Sequence, residues 1–477
     1  MQPDDICFLS ALELRDLYAS RDLSPVEVTR AILDRLEAVE PALNAFVTVT
    51  AELALEQAAI AERAFADGGE PSLLAGIPFS LKDLTATRGI RTARGSLLYA
   101  DWIPEEDAPV AERMLAAGGV LLGKTNTPEL GWKGDSGNRV AGPTHNPWRH
   151  GRTAGGSSGG AAAAVSAGIG ALAQGTDGAG SIRIPSGFTG TFGHKPSWGL
   201  VPQYPASVVP LLSHVGPITR TVRDAALFLD ATVGQHALDS FSLPTSPGLL
   251  DAMEGDIRGL RIAWSPDLGY AAVDPGVVRI AESAARRFEE LGCHVEEAHP
   301  PLADPWETVH KVWSCGFAGA FRDQLAEVRD QMDPGLVRVI EAGLGFSAAD
   351  LAAAYMQRDA YFHGWRQFMA DYDLMLTPTL PVTAFEAGQD YPGQIAGRDT
   401  TYLSWTAFTY PFNLTGQPAA SVPCGFCDGL PVGLQLVGRW RDDATVLRAA
   451  AAYEDLAPWT GTKPPCTAPI SDEGPPV

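Results

Sequence analysis

The sequence predicts an α/β layered fold. Two observations carry this reading. Runs with helical apolar spacing end at glycine and give way to short apolar strands, at 107–122 and again at 274–296. Further strand-length apolar runs, at 77–82, 260–264 and 374–376, stand between helical segments. Helices alternating with short strands belong to layered α/β proteins.

The elements follow in order. Ser24-Pro25-Val26-Glu27 is a capping box with proline at the first helical position. Val28, Ile32, Leu36 and Val39 recur behind it at helical spacing. Ile77 to Lys82 follows a glycine and reads as a strand with Lys82 at its end. Asp107 to Ala117 reads as a helix stopped by Gly118-Gly119, with the strand Val120-Leu121-Leu122 after it. Asp274-Pro275 opens a helix that closes at Leu291-Gly292, and Cys293 to Glu296 continues as strand. Residues 301–370 are aromatic-rich and helical in pattern, with Trp306, Trp313, Phe317, Phe321 and Trp365 expected mainly in the core.

Composition removes several function classes. The chain has 477 residues and a formal net charge of -22, without a basic cluster that could hold nucleic acid. No run of eighteen apolar residues is present, so no membrane span is expected. The start lacks a basic segment followed by an apolar one, so no secretory signal is expected and the location reads as cytoplasmic. The six cysteines are scattered and read as reduced thiols. Cys424 and Cys427 form a CxxC without a second pair, which reads as coincidence. The histidines form no metal-ligand pattern, and neither metal nor cofactor is implied.

The informative region runs from Gly151 to Gly199. It holds GGSSGGAAAAVSAG, then GTDGAGSIRIP, then GHKPSWG. A flexible linker would not interleave an Ala/Val helix with an IRIP strand. A phosphate loop would need GxxxxGK[ST], which is missing. Gly155 to Gly159 formally matches GxSxG, but an elbow of that kind must follow a strand, and His150 to Ala154 does not read as one. What remains is a helix start at Ser157-Ser158-Gly159 and a glycine-rich turn, Gly178-Ala179-Gly180-Ser181, whose N–H groups can form a nest for an oxyanion. Neither turn contains histidine, so a base must come from elsewhere. Only six of the 35 basic residues are lysine. Lysine, unlike arginine, loses its proton at useful pH when buried. Lys82 sits in an apolar strand and is chemically fit to be that base.

These blocks resemble the amidase signature family. The resemblance extends through SPVEVTRAILDRLEAVEPALNAFV, GIPFSLKD, GVLLGKTNTPELG, GPTHNPW, GPITRTVRDAALFLDATVG, NLTGQPAASVPCG and GLPVGLQLVGR, about residues 8 to 460. It implies a three-layer α/β/α fold around a mixed, twisted sheet. The expected organisation is a single domain over 1–463 and a Pro-rich tail, 464–477, extended or disordered. It implies Ser181 as nucleophile, Ser157 as bridging serine after a cis peptide, and Lys82 as base, acting on amides through an acyl-enzyme. Gly178, Ala179 and Gly180 would offer oxyanion donors with Ser181, and Gly131 would meet the substrate through its backbone. Asp177 and Arg183 would support the turn, and Ser158 and Thr176 would join the hydrogen-bond network. Trp313 and Cys315 are further pocket candidates.

Two departures bear on function. The common family turn is GTDTGGSIR, whereas this chain has Gly178 for Thr and Ala179 for Gly. Alanine fits there only if its φ is negative. The family's glutamine-dependent amidotransferase members carry an aspartate, seven residues before the NL pair, for the glutamine amine. This chain has Thr406 there, which cannot pair an ammonium. The expected partner is therefore a small-molecule amide, with anilides, oligoamides, carbamates and esters open and a homodimer a possible assembly. The alternatives are the glutaminase component of a tRNA-dependent amidotransferase and a silent binding protein on the same scaffold.

Overall fold

The computed structural model describes residues 3–67 and 71–466. Most of the predicted tail, from 467 on, lies outside the described residues.

Eleven strands form one sheet. From edge to edge they are Phe46–Val49, Val120–Thr125, Pro78–Lys82, Leu172–Asp177, His214–Thr219, Phe192–Lys195, Ala419–Cys427, Leu430–Gly438, Leu374–Pro378, Arg261–Trp264 and His294–Glu297. Pro78–Lys82 pairs in parallel with both its neighbours. Leu172–Asp177 pairs antiparallel with His214–Thr219. The sheet is therefore mixed. Six of its inner strands are buried along almost their whole length, as expected when both faces are covered.

Side-chain alternation divides the interior into layers. On one face Leu434 and Leu436 pack with Val446, Leu447 and Ala450 of the helix Asp443–Leu456. The next residue, Val437, packs with Met375, Phe408, Phe412 and Trp365 on the other face. A separate apolar cluster joins the helices Trp306–Phe321 and Pro334–Leu344 around Trp313, Phe317 and Ile340.

Most predicted elements are present. Ser24 caps Pro25–Leu43 with the full box. The helix expected from Asp107 occupies Pro109–Ala116. The helix opened by Asp274 spans Pro275–Arg286, with a 3-10 turn over Arg287–Glu289. Two predictions are corrected. The stretch from His150, not expected to be a strand, lies in the strand Arg149–Thr153, which pairs with His145–Asn146. IRIP, in turn, is not a strand. Arg183–Thr189 is a buried helix. Pro185 sits in its first turn, where the missing N–H costs no intrahelical bond, and the isoleucines fill core space. The strand of this region is Leu172–Asp177, just upstream. No described helix is long and apolar enough to cross a membrane, and no group of three or more metal-ligating side chains occurs among the described residues.

Candidate active site

Lys82 ends a central strand, registered against Thr125 on one side, while its neighbour Leu81 faces Gln174 on the other. The side chain is completely buried. Its Nζ lies 2.7 Å from Ser157 Oγ, 2.9 Å from Ser158 Oγ and 2.9 Å from Thr176 Oγ1. Among the described residues no carboxylate lies within ion-pair distance of it. Burial pushes its pKa well below the ordinary lysine value, against a smaller upward pull from Asp177. A neutral amine has two N–H donors and one lone pair. Ser158 gives its own proton to the Thr176 carbonyl, so towards Lys82 it accepts. With Thr176 Oγ1 accepting the second N–H, the lone pair is left for the Ser157 hydroxyl.

Ser157 and Ser158 lead into the helix Gly159–Ser166. The Gly156–Ser157 peptide is cis. This corner is held from below by Ser136, whose hydroxyl donates to the Gly155 carbonyl at 2.7 Å and accepts from the Gly159 N–H at 3.0 Å. Glycine is needed here for close approach. A Cβ on Gly160 would stand 2.4 Å from the Ala45 carbonyl oxygen.

Ser181 lies in the turn after Leu172–Asp177, and its carbonyl accepts the Ser158 N–H at 3.2 Å, tying the two serine turns together. Ser157, Ser181, Thr176, Gly178 and Gly131 line one cavity of about 330 Å³. Ser181 Oγ makes no hydrogen bond among the described residues. Among the described residues the wall contains no His, Asp or Glu.

Asp177 organises the Ser181 turn. It accepts N–H groups from Gly180 at 2.7 Å and Ile182 at 3.2 Å. Arg183 clamps both its oxygens at 3.0 Å. Burial would raise the Asp177 pKa, but the Arg183 guanidinium holds it well below the usual carboxylate range. Arg183 is itself buried and reaches Gln435, Asn413 and the Thr409 carbonyl. Thr409 Oγ1 donates to the Ala179 carbonyl at 2.6 Å. Sequence reasoning missed Thr409, Asn413 and Gln435 as turn supports. Their only signal was proximity to the NLTGQP and GLQLVG blocks.

The turn corrects one expected donor. The Gly180 N–H is held by Asp177, which leaves the N–H groups of Gly178, Ala179 and Ser181 without a hydrogen-bond partner among the described residues. The positive φ of the turn falls on Gly180, at 132°, and not on Ala179, which removes the steric objection to alanine. Gly131 has φ 75°, and a Cβ there would stand 3.3 Å from Ser157 Oγ. Its N–H is already taken by the Pro128 carbonyl at 2.9 Å, so only its carbonyl is open to a ligand. Trp313 lines the cavity, whereas Cys315 is not in the wall and turns towards the Gly343 carbonyl. Thr406 is buried, and its hydroxyl donates to the Leu403 carbonyl.

Gly178 and Trp313 form a matched pair. A Cβ on Gly178 would stand 2.9 Å from Trp313 Cζ3. Restoring the family's threonine is expected to overpack the site, and Gly178→Thr should destabilise the fold by about 1–3 kcal/mol. Combined with Trp313→Ala, the loss should be smaller than the sum of the two single losses. Denaturant unfolding of all four proteins checks this. Strict additivity would show that the two positions do not compete for space.

The amidase family pattern matches residues 27–447. An acylamidase of Rhodococcus erythropolis is 42% identical over 97% of this chain and 98% of its own. One component of the glutamyl-tRNA(Gln) amidotransferase of Moorella thermoacetica is 37% identical over 96% of this chain and 99% of its own. The crystal structure of a bacterial aryl acylamidase of the amidase signature family aligns with TM-score 0.89 and 33% identity, over 95% of this chain and 97% of that one. The chain belongs to the amidase signature family and is an enzyme of its carbon–nitrogen hydrolase class.

Proposed function

We propose that the protein is a free-standing serine amidase that cleaves small-molecule amides, aryl amides among them. The observation that carries this reading is the 2.7 Å contact between a fully buried, carboxylate-free Lys82 and Ser157, on the wall shared with Ser181. Neutral Lys82 accepts the Ser157 proton as Ser157 accepts that of Ser181. Ser181 Oγ then bonds to the carbonyl carbon. The N–H groups of Gly178, Ala179 and Ser181 receive the oxyanion, where one donor is worth about 3 kcal/mol. Ser157 returns a proton to the leaving nitrogen, the C–N bond breaks, and water hydrolyses the Ser181 ester through the same relay. Similarity to the acylamidases supports the amide class.

The amidotransferase relatives support a second reading, the glutaminase component of such an enzyme. The surroundings of Thr406 weigh against it. The small space bounded by Ala179, Ser181 and Thr406 has no carboxylate in its wall and carries Lys133. The expected result is hydrolysis of anilides by the isolated chain, with glutamine a poor substrate.

Labelling tests the nucleophile. A fluorophosphonate should modify the wild-type chain at Ser181, located by peptide mass spectrometry, and should leave Ser181→Ala unlabelled. A folded wild-type protein that stays unlabelled would identify a silent scaffold.

A further inference from the structure

Arg94 is the only charged residue in the wall of the cavity that holds Ser157 and Ser181. In a chain of net charge -22, an isolated cation in this cavity is a local reversal of sign. Its guanidinium carbon lies 4.3 Å from the Trp102 ring centroid and 5.0 Å from that of Tyr99, which fixes the plane of the fork. Its backbone is pinned on both sides. The N–H donates to the Asp83 carbonyl at 3.1 Å, and the carbonyl accepts the Leu130 N–H at 2.8 Å. It is held at φ 54°, an uncommon conformation for a residue other than glycine.

This anchored cation has no carboxylate in direct contact, and the buried Asp83 acts on it only at longer range. Among the described residues the Arg94 side chain forms no ion pair. The buried Asp83 is paired with Lys124, 3.8 Å away. Of the three guanidinium nitrogens, only Nε is sealed off without a partner. The two terminal nitrogens are not sealed, and the polar side chain beside the fork is Tyr99. An arginine fork with unsealed terminal donors and no ion pair matches a carboxylate.

The position of Arg94 says which half of the substrate it meets. Leu130, bonded to the Arg94 carbonyl, precedes Gly131, whose Cβ position abuts Ser157. Arg94 thus belongs to the Ser157 wall and not to the oxyanion turn. Under the proposed function, on which this inference rests, Ser157 protonates the leaving nitrogen.

We propose that Arg94 receives a carboxylate on the amine half of the substrate, making N-acylated amino acids or aminobenzoates the preferred class. The test compares 4-acetamidobenzoate with its neutral analogue 4-acetamidoacetophenone, following release of the aromatic amine. In Arg94→Gln the acid-to-ketone ratio of kcat/KM should fall about 10- to 100-fold, the range of a charge-assisted hydrogen bond. The loss should appear in KM. Arg94→Lys, which keeps the charge but loses the fork, should fall between. A ratio that stays within about twofold of wild type overturns the proposal, because a merely structural role would lower both substrates together. A readout independent of turnover separates this from the amidase reading. 4-Acetamidobenzoate should protect Ser181 from the fluorophosphonate in the wild-type chain and lose that protection in Arg94→Gln. If neither the acid nor the ketone is cleaved, the anilide reading fails. If protection is absent from wild type, the Arg94 inference fails.

Discussion

Lys82→Ala is expected to lower kcat about ten-thousand-fold, the upper end for loss of a general base. The cavity explains the size. Its wall has no His, Asp or Glu that could take over, and Ser157 has no other basic contact among the described residues. Lys82→Arg should be equally inactive, because a guanidinium stays protonated and offers no lone pair. The wild-type pH profile follows from the same burial. In the proposed mechanism Lys82 acts when neutral, and desolvation sets its pKa well below the ordinary value. Activity should therefore fall as pH drops through that lowered value, and the acid limb should be missing from any residual Lys82→Ala activity. Steady-state kinetics across pH check both points. Lys82→Ala turnover within tenfold of wild type, in a folded protein, would remove Lys82 from the mechanism.

The sequence made Lys82 legible because its signal is local. A scarce residue type at the end of an apolar run needs only secondary structure to be placed. Capped helices are local in the same sense, since Ser24, Pro25 and Glu27 interact within one turn. The donor set at Ser181 was less legible. Four consecutive N–H groups look equivalent in a string, yet Asp177 takes Gly180 and leaves its neighbours. That choice depends on a carboxylate orientation imposed by Arg183, which is held in turn by Gln435, 252 positions away. IRIP was misread because β-branched residues favour strands only until tertiary packing assigns them a buried helix. Arg94 gave no signal, since its setting depends on two aromatic rings brought over its guanidinium by the fold. The Thr406 argument was legible from the resemblance alone, and the carboxylate-free space beside it now gives that argument a physical basis.

Asp177→Asn should separate the two roles of that residue. The first role is structural. Arg183 is fully buried against Asp177, and an amide replaces one acceptor with donors that face the guanidinium. Leaving a buried cation without its partner costs about 3–5 kcal/mol, so the unfolding free energy at neutral pH should fall by that order. Wild-type Asp177 is ionised well below the usual carboxylate range. Its contribution is therefore present above the unfolded-state value near pH ~4 and is lost as pH falls towards the depressed folded-state value. The gap between wild type and variant should narrow in the same direction. The second role is electrostatic. The Asp177 charge raises the Lys82 pKa against the larger effect of burial. Removing that charge makes the ammonium harder to keep, so the acid limb of kcat/KM should move to lower pH even as kcat drops. Looser packing at the turn would lower kcat without moving the limb in that direction. A limb that stays in place, or moves to higher pH, would show that Asp177 acts on the turn geometry alone.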